Sequence, residues 1–179
     1  MRVLQIILVL IGIACLGLWG FFTVHARIEQ SILKQELYRP RPAHTHTSVV
    51  ITRRRLNEGD LFGRLEVPRL NMSVMVMEGT GSKILRLGAG HIPGTPMAFA
   101  AHRDTFFRPL KDLKLDDTIR LTTPDGVTEY HVISTKIVPP DDTSSIDDAS
   151  DQTLVLVTCY PFYYVGPAPK RFMVEAVKN

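Results

Sequence analysis

A thiol, an imidazole and a guanidinium can together carry out acyl transfer, and this chain offers one candidate set. Cys159 ends a strongly apolar run, Thr153–Val157. It therefore sits where a strand leaves the core, a position both rigid and open to solvent. Pro161 follows closely, so the chain turns into a loop instead of carrying the sulfur deeper. The segment Tyr160–Arg171 is rich in aromatics, Gly and Pro and can wall a groove for an extended substrate. A thiol nucleophile needs a base, or a cation that stabilises the thiolate. Of the 6 histidines, His25, His44 and His46 precede the globular part, and His131 lies inside an apolar strand. That leaves His91 and His102. His102 directly follows the apolar run Met97–Ala101, again at a strand end, and is the favoured partner of Cys159. His91, in the turn-rich Ala89–Thr95, stays as an alternative. Developing negative charge on a carbonyl oxygen needs a donor. Arg171, across one loop from Cys159, is either that donor or a surface arginine beside Lys170.

The elements that must position these groups are short strands. Apolar runs with alternation or full burial recur at Leu61–Val67, Met72–Met77, Met97–Ala101, Thr118–Leu121, Val127–Val138, Leu154–Thr158 and Phe172–Val177. The third run before the end follows the Pro124-Asp125-Gly126 turn, which predicts a hairpin. Regular short strands separated by Gly, Pro and Asp imply an all-β sandwich or barrel. Two brief helices are expected near Ser82–Leu87 and Phe106–Leu113.

The chain has 179 residues, room for one core that needs no disulfide. Its 2 cysteines, Cys15 and Cys159, are placed too differently to pair. A structural zinc site would need clustered His and Cys, which the spacing does not offer. A net charge of +3, with basic clusters that lack interleaved aromatics, argues against nucleic acid. The run Val3–Val24 is almost wholly apolar, with Trp19, Phe21 and Phe22 at one end. About 20 such residues cross a bilayer as a helix, and the aromatics suit its interface. Residues 1–24 are thus expected to be a transmembrane anchor, in preference to a cleaved signal peptide. Residues 25–59 form a stalk and linker, amphipathic up to Pro40 and Pro42, and residues 60–179 form the globular domain. Lys and Arg are more numerous after the anchor than before it, which by itself puts the C-terminal side inside.

Three segments together resemble the sortase family. They are His102–Leu110 (HRDTFFRPL), Thr153–Phe162 (TLVLVTCYPF) and Ala168–Val174 (APKRFMV). The loop His91-Ile92-Pro93-Gly94-Thr95 is similar too, and the likeness runs from about Leu61 to Val177. Its flavour is that of the class D sortases and related enzymes of Gram-negative bacteria. The resemblance implies an eight-stranded β-barrel. It implies a thioacyl-enzyme mechanism in which Cys159 attacks a threonine carbonyl in an LPxTG-type sorting signal near a substrate protein's C-terminus. His102 would be general acid and base, Arg171 would hydrogen-bond the substrate carbonyl or oxyanion, and an amine acceptor would resolve the thioester. It also implies an extracytoplasmic catalytic domain, on the periplasmic or cell-surface side, against the charge count. Ala101 departs from the family's usual glycine before the histidine, and its methyl could crowd the backbone there. No cofactor is implied. Some sortases bind calcium, but the acidic loop Asp141–Asp148 lacks a spaced ligand pattern and reads first as a solvated loop. A cysteine peptidase acting only by hydrolysis and a non-catalytic peptide-binding β-domain are the rival readings.

Overall fold

The computed structural model describes residues 56–164 and 166–179, together with the isolated Gln5. The expected anchor, nearly all of the stalk and linker, Cys15, His25, His44 and His46 lie outside the described residues. Among those described, no helix is long and apolar enough to cross a membrane.

Eight strands close into a barrel: β1 (Leu61–Val67), β2 (Met72–Glu78), β3 (Ala89–His91), β4 (Ala98–Ala100), β5 (Thr118–Thr123), β6 (Gly126–Val138), β7 (Thr153–Tyr160) and β8 (Lys170–Lys178). Their order around the barrel is β1-β2-β3-β4-β7-β8-β6-β5. Pairing is antiparallel except for β2 with β3 and β4 with β7. Closure leaves no unpaired sheet edge. Helix α1 (Ser82–Leu87) forms where expected and crosses between the parallel strands β2 and β3. A second helix, α2 (Ser144–Asp147), forms inside the acidic loop, and Phe106–Leu113 holds a 3₁₀ turn at Arg108–Asp112.

Seven strands match the apolar runs of the sequence. The eighth, β3, lies in the segment read as a turn-rich loop. Three residues, two of them small, carry no alternation to detect, and only pairing to β2 and β4 makes them a strand. That pairing needs glycine: a Cβ on Gly90 would stand 2.2 Å from the Gly79 carbonyl oxygen. Residues just ahead of the barrel also engage it, since Gly59 N donates to Glu78 O at 2.8 Å and Glu78 N to Asp60 O at 2.8 Å.

Alternation along the strands sorts side chains onto two faces. Leu65, Val74, Phe99, Leu121, Val132, Leu154, Leu156 and Val174 point inward and form the main core. The outer face of β4, β7 and β8 carries a second apolar cluster, Ala98, Val155 and Met173, roofed by Ala149 and Ile146 from the β6–β7 connection. A register shift between Val132 and Ser134 rephases β6. Before it, Tyr130 and Val132 point inward; after it, Lys136 and Val138 point outward. Lys136 therefore meets Glu175 of β8 at 2.8 Å instead of being driven into the core. Ser145 of α2 donates to the same Glu175 carboxylate at 2.5 Å, which pins the β6–β7 connection to the sheet.

Candidate active site

The two strands joined by the aromatic loop pair antiparallel, and their register sets Cys159 directly opposite Arg171. The strand on the other side of β7 is β4, parallel to it, with Ala98, Phe99 and Ala100 opposite Val155, Leu156 and Val157. Two steps further along that register, His102 stands level with Cys159. The continuation is held by two contacts. Ala101 N donates to Val157 O at 3.3 Å, and the Thr158 hydroxyl donates to Ala101 O at 2.8 Å. Neighbouring strands lie about 5 Å apart, so Cys159 has one candidate partner a strand away on each side.

The faces agree as well. Val155 and Val157 belong to the outer cluster, so Cys159, two residues on, points outward. Arg171 shares the face of Met173, and His102 that of Ala98, by the same period. The row runs Val138, Arg171, Cys159, His102 across β6, β8, β7 and the end of β4. Below it lies an apolar floor of Met173, Val157 and Ala100. His102 is exposed, while Cys159 and Arg171 are half-buried at the rim. Arg171 Nη1 lies 3.2 Å from Lys170 O and 3.5 Å from Ala168 O, at the start of its own strand. Among the described residues its guanidinium is held by main-chain carbonyls and not by a carboxylate, which leaves its charge for an incoming oxygen.

His91, the alternative partner, is elsewhere. It is buried on the inward face, stacked on Phe62 with ring centroids 4.5 Å apart, and its Nδ1 hydrogen-bonds Glu78 Oε2 at 2.7 Å. It is a core histidine with a carboxylate partner and does not reach the row. His131 sits within β6, paired with Thr118 and Val177. Ala101 resolves the question of its extra methyl: the residue is 6% exposed and packs in the main core, and its φ is not positive. The methyl points away from the groove.

Two residues of the quoted segments were given no role in the sequence. Thr158, 3% exposed, links β7 to the residue before His102. Arg103, 9% exposed, reaches the loop between β7 and β8, donating to Tyr164 O at 2.7 Å and Gly166 O at 3.1 Å. A charged side chain directly after an exposed histidine gives no local hint of burial. Of the acidic loop, Asp142, just ahead of α2, accepts from Ser144 N at 3.0 Å and Ser144 Oγ at 2.7 Å, and Asp147 accepts from Thr143 Oγ1 at 3.1 Å. Among the described residues no three His, Cys, Asp or Glu side chains gather so as to hold a metal ion.

This arrangement has clear likenesses. The family model of the Sortase domain matches residues 65–179. Sortase D of Bacillus subtilis (strain 168) is 31% identical over 190 residues, which span 97% of this chain and 96% of that protein. A Clostridium perfringens Sortase D5 transpeptidase is similar in structure, with a TM-score of 0.67 at 20% identity over 86% of this chain and 97% of that one. Clostridium perfringens sortase C, solved with the C-terminal cell wall sorting motif, gives 0.64 at 23% identity over 88% and 87%. Family match, near-full-length identity and barrel topology agree, and the chain belongs to the sortase family of cysteine transpeptidases.

Proposed function

We propose that Cys159 is the nucleophile of this transpeptidase, His102 its general acid and base, and Arg171 the donor to the substrate carbonyl or oxyanion. The observation that carries this reading is the register row, which sets the two partners on either side of Cys159 at one rim of the outer face. The Cys159 thiolate adds to a peptide carbonyl carbon, and the oxygen takes up negative charge beside Arg171. The C–N bond then breaks as His102 gives a proton to the leaving amine, and a thioester remains. An acceptor amine adds to the thioester, His102 takes its proton, and the C–S bond breaks to return the thiolate beside the protonated His102.

The substrate we propose is a protein with a C-terminal LPxTG-type signal, cut after its threonine. The apolar floor of Met173, Val157 and Ala100 suits an extended apolar segment, and the C. perfringens sortase C was solved with a C-terminal cell wall sorting motif. Residues 1–24 anchor the chain in the membrane by their apolar length, with the barrel on the extracytoplasmic side, where sorted proteins emerge.

Intact mass spectrometry of the protein mixed with an LPxTG-type peptide tests the chemistry. A peptide adduct on Cys159 that is released as an amide on adding amine is the expected result. Release only as the free acid would make the protein a hydrolase. An adduct that persists in Cys159→Ala would remove Cys159 from the mechanism. A reporter fused after Asn179 and exposed to a membrane-impermeant reagent tests the orientation.

A further inference from the structure

Burying an arginine is unfavourable unless its charge and its donors are met, and the usual partner is a carboxylate. Arg103 breaks that habit. It is 9% exposed, between the exposed His102 and Asp104, and its hydrogen bonds go to main-chain carbonyls. Both acceptors, Tyr164 O and Gly166 O, lie in the loop 161–169. The guanidinium carbon also lies 5.7 Å from the centre of the Tyr164 ring, a cation–π distance. Its Nη1 is buried with no hydrogen-bond partner among the described residues. A fold that sought only stability would gain by placing an apolar side chain there. The contacts instead serve the loop.

That loop is not an arbitrary surface segment. It leaves β7 two residues after Cys159 and enters β8 one residue before Arg171. Arg103 is itself bonded to His102. One side chain therefore joins the segment that bears His102 to the loop that links Cys159 with Arg171. The next turn repeats the contact: Arg108 lies 5.9 Å from the centre of the Tyr163 ring. β4 ends at Ala100, so His102 has no strand of its own to hold it. The Thr158 bond fixes the backbone at Ala101 from one side. Arg103 fixes it from the other.

We propose that Arg103 is a positioning residue for the transpeptidation reaction, holding the His102 segment and the β7–β8 loop in one arrangement around Cys159. This rests on Cys159 and His102 being the reacting pair. It implies that His102's proton transfers in both half-reactions depend on Arg103, whereas the fit of the peptide to the apolar floor does not. Small misplacements of a reacting group cost large factors in rate.

The test uses the detergent-purified full chain carrying Arg103→Met or Arg103→Lys. Methionine removes the charge at similar length; lysine keeps the charge and loses the planar fork. Single-turnover acylation at saturating LPxTG-type peptide, and aminolysis of the thioester, are measured separately. Both rates are expected to fall by about tenfold or more in each variant, with the half-saturating peptide concentration changed less than about threefold. Asp117→Asn, remote from the row, supplies a variant that loses stability with unchanged rates per folded molecule. Rates within about twofold of wild type in Arg103→Lys, the milder variant, would overturn the proposal. So would a loss in peptide affinity alone, or a rate loss that disappears once the folded fraction is corrected for. If Cys159→Ala also retains activity, the assignment of the reacting pair fails instead. If Cys159→Ala is inactive while Arg103→Lys is unaffected, only the role of Arg103 is lost.

Discussion

Thr158→Val isolates one hydrogen bond at the rim of the site. Valine keeps the shape and removes only the hydroxyl, so no cavity forms. The hydroxyl is 2.8 Å from the Ala101 carbonyl oxygen, and Thr158 is 3% exposed. Removing a buried donor while leaving its acceptor in place costs about 1–3 kcal/mol, against about 1 kcal/mol for an average net hydrogen bond. The loss falls beside His102, so it should also loosen the continuation of β4 along β7. A tenfold fall in acylation rate corresponds to about 1.4 kcal/mol of transition-state stabilisation, and that is the size expected. Thr158→Ser is the matched control. It keeps the donor and loses a methyl group, costing about 0.8 kcal/mol in burial with the alignment intact. Urea unfolding gives the stability of each variant, and single-turnover acylation gives its rate. The valine variant should be the slower of the two even where their stabilities coincide. Equal rates for serine and valine, or a faster valine variant, would refute the idea that this bond aligns the two strand ends.

Three further outcomes follow from other parts of the barrel. Gly90→Ala should prevent folding or cost more than about 3 kcal/mol, because its Cβ would stand 2.2 Å from Gly79 O, a backbone atom in a paired segment; the yield of soluble folded barrel and its thermal midpoint check this. Asp117 is held below the ordinary carboxylate range, first by its hydrogen bond with Arg69, against the opposing effect of burial, with help from the Lys114 N–H at 2.7 Å. A depressed folded pKa means that its stabilisation is present above the unfolded value, about 3.9, and is lost as pH falls through the folded value, so Asp117→Asn should lower stability by about 1–3 kcal/mol at neutral pH and flatten the acid limb of a stability–pH curve. A steep acid limb retained by Asp117→Asn would assign that loss to other carboxylates, Glu175 first. Arg171→Lys keeps the charge and loses the fork, and its acylation rate should fall by at least about tenfold with unchanged thermal stability; near-full activity would return Arg171 to the role of a surface residue.

Much of the barrel was legible because it is written locally. Alternation in Leu61–Val67 and the apolar run before Cys159 follow from which side chains a half-buried strand must hide. The hairpin at Pro124-Asp125-Gly126 follows from turn chemistry, and β5 and β6 pair around it. β3 was not legible, because three residues give no period and their strand state comes from partners on both sides. The short helix α2 was hidden in the acidic run for a related reason: its caps are local, but Ser145 is held to the sheet by Glu175, 30 positions away.

The same division holds at the site. Sequence alone placed Cys159 and His102 at strand ends and Arg171 across one loop, since each statement concerns a residue and its immediate neighbours. It favoured His102 and left His91 as an alternative. Both follow or sit among small residues near apolar runs, and their difference is a matter of face. Pairing of β4 with β7 put His102 level with Cys159 on the outer face, while pairing of β3 with β2 turned His91 inward onto Glu78 and Phe62. Arg103 shows the limit most plainly. Its type predicts exposure, and only the approach of a loop 61 positions away supplies the carbonyls that allow it to be buried. Side-chain period is a property of the chain, but register and burial are properties of what the chain meets, so the residues proposed to react could be picked out in the sequence and the groups proposed to hold them in place could not.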